Sequence, residues 1–293
     1  MLVQIARAMI RDSQCRCVLC IMGINSASAR RPQSSRTPQE FTHPFGIFGA
    51  VGYHAHQTRQ HMHRFGLRVD QLGAIAVAMR RHASLKDGAQ QRTPITLEDH
   101  AASRYVVEPL RLLDCCQVSD GGAAVLVAAP ELVADSRAGG VLVAGAGQFS
   151  RADMFAAYGP VESVAPGKAQ RALHEAGVAH DDVDIAMLYD CFTITVLLQL
   201  EDYGFCGLGE GGRFAEGAAL ELGGRLPTNT HGGLLSDGHL MGMGHIVEAV
   251  RQLRGECGTR QVGGARTALI TGYGGAVHET PPAVTWSSLV LTR

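Results

Sequence analysis

Aromatic residues are scarce in this 293-residue chain: Phe, Trp and Tyr make up 5% of it, with a single Trp. That shortage argues against an aromatic-lined recognition module. Charge of one sign is missing as well, since 26 Lys and Arg stand against 27 Asp and Glu for a formal net charge of −1. No basic field exists to hold nucleic acid or an anionic membrane nonspecifically. Long apolar runs are absent too. Ala123 to Pro130 and Val141 to Ala146 fall far short of the roughly 20 residues that span a bilayer. Neither a G-x-S-x-G elbow nor a Walker A pattern occurs, so serine hydrolases and phosphate-loop NTPases lack their central residues here. The N-terminal apolar stretch carries Arg7 and Arg11 and has no small-residue cleavage site. It does not read as a secretory signal, and a reducing cytoplasm is the expected compartment.

What the chain does have is glycine, 36 residues of it, and 46% hydrophobic residues, a balance suited to a tightly turned α/β enzyme. Leu2, Ile5, Ala6, Met9 and Ile10 recur at helical spacing with no capping residue ahead, so the chain reads as beginning inside a helix. Val18 to Met22 follows as a short strand, and Asn25 to Pro44, rich in Ser, Arg and Pro, as a loop. Helices are expected from His54 to Arg64 and from Asp70 to His82, with a helical turn at Thr96 to Asp99. Ala123 to Ala129 reads as a strand buried on both faces, and Val141 to Ala146 as a second strand. Then come a helix over Lys168 to Ala176, a strand over Val183 to Leu188 and a helix over Phe192 to Tyr203. Residues 207 to 233 form a glycine-rich connection before a helix over Met243 to Leu253 and strands over Ala268 to Gly272 and Ala283 to Leu291. This alternation predicts a layered α/β/α sheet.

Several patterns carry weak chemistry. Gly207 to Gly212 satisfies G-x-G-x-x-G, but it follows a helix instead of a strand, so a dinucleotide site lacks its context. Cys15, Cys17 and Cys20 form C-x-C-x-x-C without the second cluster that structural zinc requires. Cys115, Cys116, Cys191, Cys206 and Cys257 read as buried thiols. His54, His56, His61 and His63 have no acidic neighbour in sequence, and their i, i+2 spacing does not share a helix face, so they read as a solvated helix.

The richest segment is LPTNTHGGLLSDGHLMGMGHIVEAVRQLR, residues 226 to 254. Its glycines permit close backbone approach to a substrate, and the helix beginning near Gly242 presents free N–H groups that favour developing negative charge. His239 stands at that mouth, able to pass a proton or hold an oxyanion. Tyr273, in TGYGG, and Tyr189, in YDCF, each end a strand, where open α/β sheets place ligands.

These residues resemble the thiolase superfamily, in particular its sterol-carrier-protein-type branch and the thiolase-like aldolases of steroid side-chain breakdown. The resemblance rests on PLRLLDCCQVSDGGAAVLV (109 to 127), YDCFTITVLLQLEDYGFC (189 to 206), NTHGGLLSDGHLMGMGH (229 to 245), EAVRQLRGECGTRQV (248 to 262) and TGYGG (271 to 275), ordered as in that family. It implies a layered α/β/α/β/α thiolase fold with two pseudo-symmetric halves. Residues 1–150 would be the remainder of the first half, with a loop region over about 25–110, and residues 151–293 the second. It implies a homodimer, an acyl-CoA substrate, no tightly bound cofactor and, in the aldolase branch, a small acyl-CoA-binding partner of OB-fold and zinc-ribbon type.

The departures from the family redirect the chemistry. The thiolase nucleophilic cysteine opens a helix within which this chain already begins, so the first half is expected to be incomplete. Tyr273 stands where Claisen thiolases carry a second cysteine, and Tyr189 where relatives carry His or Asn. His239 matches the family's Gly-His motif. Thiolysis then loses its nucleophile, whereas retro-aldol cleavage of a β-hydroxyacyl-CoA needs only a base and an oxyanion site. By this resemblance His239, Tyr273 and Tyr189 are the candidate catalytic residues, and Asn229, Gly232, Gly233 and Gly274 shape the substrate site. The expected function is an acyl-CoA carbon–carbon bond enzyme, either a thiolase-type acyltransferase or a retro-aldolase, and the competing expectation is a noncatalytic subunit that binds acyl-CoA or pairs with a partner.

Overall fold

The computed structural model describes residues 2–29, 44, 46, 49–134, 136–137, 139–152, 170–276 and 283–293. Most of the Asn25 to Pro44 loop and the start of the helix expected from Lys168 lie outside the described residues.

The chain opens with α1 (Leu2–Arg11), β1 (Cys17–Asn25), α2 (Gly49–Phe65) and α3 (Val69–Ser84). A short α4 (Leu97–Ala102) is capped by Thr96, whose hydroxyl accepts the Asp99 N–H at 3.1 Å. Next come β2 (Tyr105–Val107), β3 (Leu110–Arg111), β4 (Asp120–Ala128), α5 (Pro130–Val133) and β5 (Leu142–Ala152). The remainder is α6 (Arg171–Ala176), β6 (Ile185–Met187), α7 (Thr193–Asp202), α8 (Gly211–Phe214), α9 (Gly233–Ser236), α10 (Met243–Arg254), β7 (Thr267–Ala276) and β8 (Ala283–Thr292). Two small strands, β2 and β3, and the short helices α5, α8 and α9 are additions to the expected elements.

Four strands form one sheet in the order β5-β8-β7-β6, in which only β6 and β7 run parallel. Period-two alternation assigns its two faces. Ile185, Met187, Ala268, Ile270, Leu289 and Leu291 meet Ala249 and Leu253 of α10 and Val3 of α1. Ala186, Leu188, Leu269 and Val290 point the other way, into a core with α6 and α7, and α2 and α3 belong to that same core. The sheet takes in residues 142–150, which the sequence division assigns to the first half, because β5 pairs with β8 along its whole length.

A second, two-stranded antiparallel sheet joins β1 to β4. Its inner face, with Val18, Cys20, Met22, Ala123, Val125 and Val127, packs on Ala6 of α1 and on Met243 and Ile246 of α10. The helices α1 and α10 therefore lie between two sheets, giving four successive layers. The expectation that β4 is buried on both faces is corrected: Leu19, Ile21 and Leu126 are exposed on the outer face, because no further layer covers it among the described residues. On α1 the buried positions are Val3 and Ala6, while Leu2 and Ile5 of the expected apolar face are exposed. The same alternation puts Cys17 and Cys20 on opposite faces of β1, one exposed and one buried, which separates two members of the C-x-C-x-x-C pattern. In the G-x-G-x-x-G stretch the glycines serve packing: a Cβ at Gly209 would meet Phe65 at 2.5 Å and one at Gly212 would meet Gln71 at 2.6 Å.

Candidate active site

The site forms where β6 ends. Past Met187 the chain runs through Leu188, Tyr189, Asp190 and Cys191 before Phe192 opens α7. The Tyr189 backbone is clamped: its N–H donates to Thr271 Oγ1 at 2.9 Å, and its carbonyl accepts from Gln199 Nε2 at 2.8 Å and Thr195 Oγ1 at 3.0 Å. With its main chain fixed on β7 and α7, the phenol is held toward the glycine-rich loop. Its hydroxyl lies 3.2 Å from His239 Nε2. The two candidates are thus in direct contact.

His239 is itself placed by its backbone, whose N–H donates to Ser119 Oγ at 2.8 Å. Ser119 donates onward to Gln90 Oε1 at 2.8 Å. The segment ahead of His239 is also tied down, with Gln90 N–H donating to Asp237 O and Gln117 N–H to Leu234 O. Burial lowers the His239 pKa, an effect partly opposed by Asp190, and burial raises that of Tyr189 well above a free phenol. Both groups are therefore neutral near pH 7.

Asp190 is the anchor of this arrangement, and its role is not evident from the motif alone. Fully buried, it accepts the N–H groups of Leu234 at 2.8 Å and Leu235 at 3.2 Å, capping α9. His245 Nε2 lies 3.1 Å from its Oδ1 and 3.0 Å from Leu188 O. A Cβ on Gly233 would stand 1.9 Å from Asp190 Oδ2, and one on Gly232 2.5 Å from the Ala83 Cβ. Lacking a Cβ, these two glycines let the loop close on Asp190 and on α3. Asn229 is likewise fully buried, with Nδ2 donating to Leu188 O at 2.8 Å and its N–H to Ala186 O at 2.9 Å. It fastens the loop to β6 and does not line an open surface. Gly274 continues β7 opposite Thr285.

Tyr273 lies on β7. Its ring packs edge-on against Trp286 at 5.2 Å, and His54 of α2 lies 5.6 Å from it, centroid to centroid. Burial and the nearby Cys191 raise its pKa, and Gln57 opposes the shift. Cys191 contributes to the upward shift of both Tyr273 and Tyr189. Burial pushes its thiol up to about 12, so it is a protonated wall group. Of the three candidates, Tyr189 and His239 are in contact, whereas the ring neighbours of Tyr273 are Trp286 and His54.

The reading of the α2 histidines as solvated is corrected. His54 and His61 are both buried, at 6% and 1% exposure, whereas His56 and His63 are exposed. Each pair is separated by seven residues, two turns, so the four divide between opposite faces. His61 lies 3.0 Å from Glu201 Oε1, an acid 140 positions away that sequence proximity does not reveal. Two clefts open away from these residues, of about 320 Å³ beside His180 and Arg225 and about 250 Å³ beside Arg7 and Arg171.

Comparison with known proteins places the chain in a family. Residues 149–285 match the family model described as thiolase C-terminal domain-like. A solved structure of an Ltp2-ChsH2(DUF35) aldolase superposes with a TM-score of 0.87 at 36% identity, covering 99% of this chain and 76% of that one. The chain belongs to the thiolase superfamily. A steroid side-chain-cleaving aldolase of Thermomonospora curvata is 41% identical over 78% of this chain and 60% of its own length. A 17-hydroxy-3-oxo-4-pregnene-20-carboxyl-CoA lyase of Mycobacterium tuberculosis is 40% identical over 81% of this chain and 63% of its own. The chain thus spans about three fifths of the length of these two curated relatives. Among the described residues no helix is long and apolar enough to cross a membrane.

Proposed function

We propose that this chain carries the retro-aldol chemistry of a thiolase-superfamily aldolase, cleaving the Cα–Cβ bond of a β-hydroxyacyl-CoA. The observation that carries the proposal is the neutral Tyr189–His239 pair, 3.2 Å apart, facing a site in which Tyr273 supplies a second neutral phenol. His239, unprotonated at neutral pH because burial lowers its pKa, is the base. The β-hydroxyl proton passes to its Nε2, directly or by way of the Tyr189 hydroxyl. As the oxygen becomes a carbonyl, the Cα–Cβ electron pair moves into the thioester to give an enolate. Tyr273, held protonated by burial, donates a proton to the enolate carbon and regains one from His239 through solvent. The products are a ketone and a shorter acyl-CoA. No acyl-enzyme forms, so no nucleophilic cysteine is required.

By analogy with the two aldolase relatives, the acyl group is a steroid side chain: the name of the second specifies a 17-hydroxyl and a 20-carboxyl-CoA, a hydroxyl β to the thioester. Cytoplasmic residence, homodimer formation and pairing with a small partner of the DUF35 kind belong to the same proposal, the last supported by the superposed Ltp2-ChsH2(DUF35) aldolase. The CoA thioester enters as substrate, and the cleavage calls on no resident cofactor.

The test is product analysis. The purified chain, alone and with a DUF35-type protein, is incubated with a β-hydroxyacyl-CoA bearing a tertiary hydroxyl, and thioesters are followed by mass spectrometry. A shorter acyl-CoA with the matching ketone supports the proposal. Tight binding of the acyl-CoA without cleavage under either condition favours the noncatalytic binding subunit instead.

A further inference from the structure

Two acceptors flank Tyr189, and one donor serves both. His245 Nε2 lies 3.0 Å from the Leu188 carbonyl oxygen and 3.1 Å from Asp190 Oδ1. Leu188 and Asp190 are the residues immediately before and after Tyr189. A carbonyl and a carboxylate only accept, so the nitrogen between them carries the proton and shares its N–H with the two. The other ring nitrogen, Nδ1, is buried with no hydrogen-bond partner among the described residues. All of the hydrogen bonding of this fully buried imidazole is therefore directed at the residues that bracket Tyr189. His231 packs edge-on against the ring at a centroid distance of 4.9 Å, which holds its plane.

The same histidine belongs to the element that delivers His239. It lies in the first turn of α10, and the segment bearing His239 runs into that turn through Gly242. At Gly242, with φ +80, a Cβ would stand 3.3 Å from Tyr189 Cδ2, so the start of the helix lies against the Tyr189 ring. Asn229 and Asp190 fasten the part of the loop that precedes His239, the first through Leu188 O and the second through the N–H groups of Leu234 and Leu235. His245 supplies the tie that follows it. The loop is thus fixed to the end of β6 on both sides of His239.

We propose that His245 is a positioning residue for the Tyr189–His239 pair: by donating one N–H to both neighbours of Tyr189, it locks the start of α10 to the end of β6 and sets how the phenol meets the imidazole. The proposal rests on the reading of that pair as the proton-transfer groups of the retro-aldol step. It separates His245 from a group that only fills space, a part that Leu would play as well. Glutamine distinguishes the two roles, because its Nε2 stands as many bonds from Cα as the histidine Nε2 and carries two N–H donors for the same two acceptors.

Two measurements test it independently of turnover. Nitrogen-15 spectra of the wild-type chain, with His245 assigned by comparison with His245→Gln, report which ring nitrogen is protonated, and the proposal requires a proton on Nε2. Carbon-13 labelling at tyrosine Cζ, assigned by comparison with Tyr189→Phe, reports the surroundings of the phenol. That resonance is expected to move in His245→Leu and to stay at its wild-type position in His245→Gln. An Nε2 without a proton, a signal unmoved in His245→Leu, or one that moves equally in both variants overturns the proposal whether or not the chain cleaves substrate. Kinetics supply the third arm. His245→Leu is expected to lower kcat by about tenfold or more with KM within about twofold, and His245→Gln to keep kcat within about threefold of wild type. An active wild type with unchanged kcat in His245→Leu, or with equal losses in the two variants, refutes the positioning role. If His245→Leu does not fold, His245→Gln and the wild-type spectrum decide: a displaced Tyr189 signal or a lost kcat in the glutamine variant overturns the proposal. An inactive wild type with the required Nε2 proton and Cζ pattern refutes only the retro-aldol reading.

Discussion

Replacing Gly233 by Ala tests the claim that the glycine-rich loop is built around Asp190. Gly233 has φ +63 and a Cβ position 1.9 Å from Asp190 Oδ2. Gly177, which ends α6, has nearly the same φ, +65, with nothing within 4 Å of its Cβ position. Ala at Gly177 therefore incurs only the left-handed backbone penalty, about 1–2 kcal/mol. Ala at Gly233 incurs that penalty and must also displace the Asp190 carboxylate, which accepts two backbone N–H groups of α9 and lies 3.1 Å from His245 Nε2. Hydrogen bonds to a charged group contribute about 1.5–3 kcal/mol each, and partial relaxation of the loop returns some of that. The expected destabilisation is about 4–6 kcal/mol at Gly233 against about 1–2 at Gly177. Against a total stability of about 5–15 kcal/mol, that difference separates a folded variant from one close to its threshold. Urea unfolding of both variants in parallel measures it. Losses that agree within about 1 kcal/mol would refute the placement of Gly233 against Asp190.

Four further outcomes are expected. Asp190→Asn keeps the volume but turns an amide toward donors, and is expected to lower stability by about 2–3 kcal/mol and to broaden the His239 resonance in NMR spectra as the loop loosens. Tyr189→Phe removes the hydroxyl that meets His239 at 3.2 Å, and is expected to lower kcat by about tenfold or more with acyl-CoA affinity retained in a direct binding assay. The acid limb of kcat/KM is expected at a pH below the ordinary histidine value of 6.5, because burial lowers the His239 pKa. Stability should also fall with acid: His54 has a folded-state pKa of about 4 against 6.5 when unfolded. Below pH 6.5 the unfolded chain binds the proton first, so stability declines through the window from 6.5 to about 4. About 3 kcal/mol is involved at 1.36 kcal/mol per pKa unit, and His54→Asn should flatten that decline in urea titrations at successive pH values.

The elements that carry strong periodicity were legible in the sequence: α3, α7 and α10 fall where apolar spacing and terminal glycines place them, with Gly204 and Gly255 in left-handed turns just past α7 and α10. The strand-end and glycine-rich contexts single out Tyr189 and His239 separately, but their contact at 3.2 Å joins segments fifty residues apart and has no signal in the sequence. Burial was also less legible. A run such as Ala123 to Ala129 does not tell a strand covered on both faces from one covered on a single face, since the small, apolar Ala124 is compatible with either. The α2 histidines were misread for a related reason: the i, i+2 spacing hides two i, i+7 pairs, and the acid facing His61 is distant in sequence. Asp190 sits in plain view in the YDCF motif, but its partners are backbone N–H groups, which leave no residue-specific signal.

The most direct test of the account compares wild type and Tyr273→Phe on a β-hydroxyacyl-CoA, following free CoA, shorter acyl-CoA and bound substrate together. Removing the hydroxyl deletes the proton donor and leaves the ring against Trp286 in place. The account predicts that wild type forms shorter acyl-CoA without releasing free CoA. It also predicts that Tyr273→Phe binds the substrate with wild-type affinity and loses about a hundredfold or more in kcat. Free CoA from the wild type, or a Tyr273→Phe variant that turns over at the wild-type rate, would contradict it.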